Sequence, residues 1–132
     1  MGGEGGTGKS QVIKALEFAY ESLKIKDTLR LCAYTGTAAS SIGGSTLSLL
    51  VQLSHGSERR VNLKKLEATW AEVTTLCVDE VSMLGCRMLA RMHKHIVLAK
   101  HSEDRSLPFE GIDVYFTGTT IIFLTNSLLL SV

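Results

Sequence analysis

At 132 residues the chain has room for one domain, and a domain of this length buries roughly two thirds of the surface its unfolded form exposes, so a hydrophobic core is attainable. Hydrophobic residues make up 45% of the sequence and charged residues 20%, with a formal net charge of +1, which excludes both an intrinsically disordered chain and a strongly basic polypeptide. Charge alone therefore singles out no partner.

The first element is glycine-rich. Gly3-Glu4-Gly5-Gly6-Thr7-Gly8-Lys9-Ser10 satisfies G-x-x-x-x-G-K-[ST] and opens directly into apolar residues at helical spacing, Val12, Leu16, Ala19 and Leu23, with Ile13 and Tyr20 widening the stripe. The expectation is a loop followed by a helix of about four turns. "LRLCAY" (Leu29 to Tyr34) then predicts a strand that ends at Thr35-Gly36. From Thr37 to His55 the chain is rich in Ser, Gly and Ala, and "LSLLVQL" within it fits either a short helix or a buried segment.

"VNLKKLEATWAEV" supplies Leu63, Leu66 and Trp70 on one helical face, and "TTLCV" (Thr74 to Val78) predicts a second strand ending in Asp79-Glu80. Leu84 to Ala99 is strongly helical, with Met88, Met92 and Ile96 on one stripe and Arg87, Arg91 and His95 beside it as a solvated basic stripe. "KHSEDRSLP" is a loop ending at the only proline, Pro108, and "IDVYF" (Ile112 to Phe116) is a third strand. Strands alternating with helices predict an α/β domain with a parallel sheet.

Cys32, Cys77 and Cys86 lack the paired spacing of a zinc site or a disulfide framework and are expected as small buried apolar residues. His93 and His95 are two apart, which on a helix points them to different sides and does not suit a metal. No secretory signal follows Met1, and Gly6 stands where a myristoylation pattern asks for Ser or Thr. The most apolar run, "TTIIFLTNSLLLSV", is interrupted by Thr, Asn and Ser and falls short of the roughly 20 residues of a membrane-spanning helix. A soluble, intracellular chain without a membrane partner is expected.

Two places carry chemistry. Gly3, Gly5, Gly6 and Gly8 let backbone N–H groups converge on phosphate oxygens together with Thr7, and the helix that follows adds partial positive charge where the anion sits. Lys9 then reaches the β- and γ-phosphates of ATP, and the Ser10 hydroxyl ligates Mg²⁺. A phosphate loop also needs an acidic strand end nearby, which "TTLCVDE" provides: Asp79 is the candidate Mg²⁺ partner and Glu80 the candidate general base. The competing explanations are a glycine-rich turn capping a helix and an acidic pair favoured by the dipole of the next helix.

Gly3 to Ser10, "TGTAASSIGGST" (Thr35 to Thr46), "VDEVSML" (Val78 to Leu84) and "LPFEGIDVYFTG" (Leu107 to Gly118) stand in the order and spacing of Pif-one-like DNA helicases, including those of Helitron-type transposons. Over residues 2–118 the chain resembles that family. The resemblance implies a P-loop NTPase: a partial first RecA-like domain of a superfamily-one helicase, its parallel sheet flanked by helices and lacking the strand before the phosphate loop. It implies ATP hydrolysis with Mg²⁺, with Lys9 and Glu80 as working groups, and 5′-to-3′ movement on single-stranded DNA. It places Thr35, Gly36 and Thr37 in the loop that lines the DNA path, where a tight turn after a strand is the competing explanation. Nuclear or mitochondrial DNA maintenance is what the family suggests.

The family pattern continues after "FxG" into an acidic residue and then a glutamine that senses the γ-phosphate, where this sequence has Thr119-Thr120-Ile121-Ile122. Residues 119–132 are thus a divergent apolar tail, which either takes the place of the strand expected before Gly2 or is exposed. The family's second RecA-like domain, which contributes an arginine finger, is not encoded here. A nucleotide-binding remnant without helicase activity is accordingly the alternative to a working motor domain.

Overall fold

Successive residues of the strands point into two different cores, as they do in a sheet covered on both faces. Leu29, Leu31 and Cys77 pack with Ile13 on one side, while Cys32, Leu76, Val78, Val114 and Phe116 pack with Leu66, Trp70, Met92 and Ile96 on the other. The structure, a computed structural model, describes residues 3–52, 61–101, 108–118 and 122–124, with the backbone alone for 3–10, 108 and 122–124. Five strands form one sheet: β1 (Leu29–Ala33), β2 (Ser45–Thr46), β3 (Thr75–Asp79), β4 (Asp113–Phe116) and β5 (Ile122–Leu124), in the order β2-β1-β3-β4-β5. The first four are parallel, and β5 runs antiparallel to β4, pairing Phe116 with Ile122. The α/β class and the parallel sheet are as the sequence predicts.

Helix α1 (Gly3–Ser22) covers one face and α4 (Leu63–Trp70) and α5 (Cys86–Lys100) the other, with α2 (Gly36–Ser41) and α3 (Leu47–Leu50) between β1 and α4 in the chain. The stripes predicted for α4 and α5 fall where expected: Leu66 and Trp70 and Met92 and Ile96 are wholly buried. That of α1 is corrected: Val12, Ala19 and Leu23 are exposed, and the helix packs on the sheet through Ile13, Leu16 and Tyr20, because the buried line is turned one residue round the helix. Leu63, however, is largely exposed, because it occupies the first turn of α4 beyond the edge of the core. Asn62 caps that turn by accepting from the Lys65 N–H at 3.1 Å. The segment "LSLLVQL" resolves as both of its alternatives, since α3 is a short helix and Leu47, Leu50 and Val51 are buried.

Several expectations are corrected. Gly3–Ser10, predicted as a loop, is the first half of α1. Nucleating a helix is the costly step and extending it adds one hydrogen bond per residue, so the turns begun by the apolar stripe propagate backwards. Gly3, Gly5, Gly6 and Gly8 make that extension weak, each about 1 kcal/mol worse than alanine. Thr35, Gly36 and Thr37 likewise form a helix start: Thr35 is the N-cap of α2, accepting from the Ala38 N–H at 3.2 Å. His95 is buried, with Nδ1 donating to the Val51 carbonyl, and so leaves the basic stripe to Arg87 and Arg91, which are exposed. Cys32 and Cys77 are buried as expected, but Cys86 is exposed at the start of α5. Strand β2 was not predicted; it is two residues long, and it approaches β1 so closely that a Cβ on Gly44 would sit 2.3 Å from the Leu31 carbonyl oxygen. Most of the loop predicted before Pro108 lies outside the described residues. Among the described residues no helix is long and apolar enough to cross a membrane.

One position works against the fold. Glu110 adopts a left-handed conformation (φ 55°, ψ 34°), and both its carboxylate oxygens are buried without a hydrogen-bond partner among the described residues. Left-handed backbone at a non-glycine residue costs on the order of 1–3 kcal/mol, and an unsatisfied buried polar group a similar amount. Glu110→Gly is therefore expected to raise stability by roughly 1–3 kcal/mol once the larger chain entropy of glycine is deducted. An unchanged or lower urea midpoint for this variant, measured by circular dichroism, contradicts that account.

Candidate active site

Three adjacent parallel strands deliver polar residues to one place. In open α/β sheets ligands bind in the crevice outside the carboxyl ends of the strands, because there the loops diverge and backbone groups are not consumed by the ladder. Here β1 leads to Thr35, β3 ends in Asp79 and Glu80, and β4 is followed by Thr117. Register sets this up, with Ala33 opposite Asp79 and Val78 opposite Phe116, so the three strand ends lie level.

Asp79 is held from two sides. Its Oδ1 accepts the Glu80 backbone N–H at 2.9 Å and the Thr117 hydroxyl at 2.7 Å, and among the described residues no hydrogen bond reaches Oδ2. Thr117 is only 1% exposed and is fixed by its backbone: its N–H donates to the Val78 carbonyl at 2.8 Å and its carbonyl accepts from the Val81 N–H at 2.9 Å. The chain leaves β3 through Glu80 in a left-handed conformation (φ 58°, ψ 46°) into a 3-10 turn, Val81–Met83. That bend brings the Glu80 carboxylate to β1's side, where Oε2 accepts from the Thr35 hydroxyl at 3.1 Å. A non-glycine residue in this region stores on the order of 1–3 kcal/mol of strain, of the kind that accumulates at functional sites.

The acidic pair does not serve α5; Glu80 is the N-cap of the 3-10 turn Val81–Met83 and gives it no side-chain capping hydrogen bond. Helix α5 begins only at Cys86, with Gly85 as its cap and no acid in its first turn. The thiols beneath the site are inert: burial, then the Asp79 charge and then Glu17 push the Cys77 thiol up to about 12. Burial foremost, with Cys77 and Asp79 adding to it, pushes Cys32 up as well, so both remain protonated at neutral pH.

Helix α1 runs against the strand direction. Tyr20, late in the helix, hydrogen-bonds Thr75 at the start of β3, whereas Val12 and Ile13 share the wall of an apolar cavity of about 300 Å³ with Thr117, past the end of β4. The N-terminal half of α1 is thus the end directed toward the carboxyl edge of the sheet. Of Gly3, Gly5, Gly6, Thr7, Gly8, Lys9 and Ser10 the backbone is described, as helix, and their side chains lie outside the described residues. Thr35, Asp79 and Glu80 are brought together; Gly36 and Thr37 are exposed in the first turn of α2 beside them. Among the described residues no cluster of three or more His, Cys, Asp or Glu forms a metal site. Thr117 was missed by the sequence reading. It stood within "LPFEGIDVYFTG" without an assigned role, and its further signal was a polar residue immediately past a strand, as Glu80 is after β3.

Residues 1–102 match the family model described as AAA domain. The chain belongs to the AAA domain family. This chain is similar to proteins named ATP-dependent DNA helicase. It is 32% identical over 123 residues to the ATP-dependent DNA helicase RRM3 of Saccharomyces cerevisiae, covering 88% of this chain and 17% of that protein. It also matches unliganded Pif1 from a Bacteroides species at 25% identity with a TM-score of 0.67, over 84% of this chain and 25% of that one. The Bacteroides Pif1 complex with ADP-AlF4 matches at 25% identity and a TM-score of 0.62, over 81% of this chain and 25% of that one. The AAA domain described here spans 13% to 17% of the length of curated relatives such as RRM3 and the yeast PIF1 helicases.

Proposed function

We propose that this chain is the ATP-binding part of a DNA helicase motor, which binds and hydrolyses ATP with Mg²⁺ and moves 5′ to 3′ on single-stranded DNA. The observation that carries the proposal is the linked set Thr35–Glu80–Asp79–Thr117 at the carboxyl ends of three adjacent strands, toward which the Lys9-bearing end of α1 is directed. Support comes from RRM3, named an ATP-dependent DNA helicase, and from the Pif1 structure whose title names ADP-AlF4.

The residues present fit a magnesium–nucleotide complex. Asp79 presents an oriented carboxylate with both described hydrogen bonds on one oxygen, and Ser10 would be the second protein group for the ion. Mg²⁺ held there would neutralise charge on the phosphates of the nucleotide. Gly3, Gly5, Gly6, Thr7 and Gly8 wrap the phosphates with backbone N–H groups once the weak first half of α1 opens, and Lys9 contributes its ammonium to the β- and γ-phosphates. Glu80 accepts a proton from the attacking water, a role suited to a carboxylate held in place by its neighbours.

Thr35 joins this chemistry to DNA. Its hydroxyl donates to Glu80 while accepting the Ala38 N–H, and the exposed Gly36 and Thr37 beside it offer backbone N–H groups to a DNA phosphate. Strand binding at this turn therefore alters the partner of the general base. Nuclear or mitochondrial DNA maintenance is part of the proposal and rests on the family. A nucleotide-binding remnant without turnover is the second reading, favoured by Thr119-Thr120 where the family carries an acidic residue ahead of the glutamine.

One experiment separates them: phosphate release with and without single-stranded DNA for the wild type, Lys9→Ala and Thr35→Val. Hydrolysis that rises with DNA, disappears in Lys9→Ala and loses its DNA response in Thr35→Val is expected. ATP binding without turnover in the wild type selects the remnant, and no binding at all removes both readings.

A further inference from the structure

Thr117 makes a contact that no motif assigns. It is 1% exposed, lies one residue past β4, and spends its hydroxyl proton on Asp79 Oδ1 at 2.7 Å, a distance in the charge-assisted range. The backbone on either side is pinned to β3 and to the turn after it by the Val78 and Val81 hydrogen bonds, so the hydroxyl cannot drift with the β4 loop. Because the Glu80 N–H reaches the same oxygen, rotation of the carboxylate about its Cβ–Cγ bond is opposed twice.

We propose that Thr117 is a positioning residue for the metal of this site: it fixes the Asp79 carboxylate with Oδ1 inward and Oδ2 outward, toward the side that receives a divalent cation with nucleotide. The proposal rests on the nucleotide reading given above. A carboxylate tethered in this way binds a metal without first paying the entropy of choosing an orientation, and a ligand's outer hydrogen-bond partner is generally worth 10–100-fold in metal affinity. Thr117 also couples two strands at the site. It does so without touching substrate.

The test measures metal, not turnover. Mn²⁺ bound in the presence of saturating ADP is quantified by electron paramagnetic resonance for wild type, Thr117→Val and Thr117→Ser. Valine has nearly the same shape and no proton to donate; serine keeps the donor. The expected result is a metal dissociation constant raised about 10–100-fold in Thr117→Val and within about 3-fold of wild type in Thr117→Ser. ADP affinity measured with the metal chelated is expected to be the same in all three. Equal metal affinity in wild type and Thr117→Val overturns the positioning role, as does a Thr117→Ser protein that is as impaired as the valine variant. Should Thr117→Val fail to melt cooperatively, Thr117→Ala carries the same comparison. Wild-type protein that binds ADP neither with nor without metal defeats the nucleotide reading itself, an outcome distinct from either of these.

Discussion

Replacing Glu80 with glutamine is expected to lower ATP turnover by about 10²- to 10⁴-fold while leaving nucleotide affinity within a few-fold of wild type. Glutamine keeps the length of the side chain and an oxygen to accept the Thr35 hydroxyl, now at 3.1 Å from Glu80 Oε2, and the left-handed backbone that aims it is unchanged. What it loses is the capacity to take a proton from water. Single-turnover phosphate release and equilibrium ATP binding, made on the same preparations, check the two halves. Wild-type rates in Glu80→Gln, or a loss of binding that parallels the loss of rate, would remove Glu80 from the role of general base. Turnover lost and binding kept in Glu80→Gln, set beside Lys9→Ala losing both, would assign the two motifs to different steps of one reaction.

The second large effect is on folding. Trp70 is the only tryptophan, is wholly buried between α3, α4 and α5, and donates its indole N–H to the Leu50 carbonyl at 3.0 Å. Trp70→Ala is expected to destabilise the domain by about 3–5 kcal/mol for the side chain and its cavity, with on the order of 1 kcal/mol more for the stranded carbonyl. Against a total of about 5–15 kcal/mol for a domain, that is enough to leave a substantial unfolded fraction. Trp70→Phe keeps most of the volume and loses only the donor, so it should fall well short of the alanine variant. Urea unfolding followed by circular dichroism gives both numbers, since the fluorescent reporter is removed with the residue. A Trp70→Ala midpoint close to wild type would mean that α4 is not part of the main core.

How much of this was legible beforehand differs between elements. Strands β1, β3 and β4 and the buried stripes of α4 and α5 were readable because each is specified by local periodicity, which tertiary packing here only ratifies. His95 misled: at helical spacing it continues the Arg87–Arg91 row, yet a carbonyl at Val51 offers its ring a buried partner and draws it inward. Strand β2 was invisible because two residues carry no period, and its existence depends on Gly44 letting two backbones meet. The described part of the tail could be placed only in space: β5 (Ile122–Leu124) pairs antiparallel with β4, on the edge away from β3.

For the candidate site the division is sharper. The sequence by itself determined the chemical inventory, namely a glycine-rich lysine segment, an acidic pair at a strand end, and small polar residues after the first strand, because residue type and short spacing are one-dimensional quantities. Only the tertiary structure decided that Thr35, Asp79, Glu80 and Thr117 form one hydrogen-bonded set, because their meeting depends on the level register of parallel strands that are 45 and 38 positions apart at the two side-chain contacts. Nothing local encodes such a register. It follows from burying both faces of the sheet at once, which leaves the strands no freedom to slide.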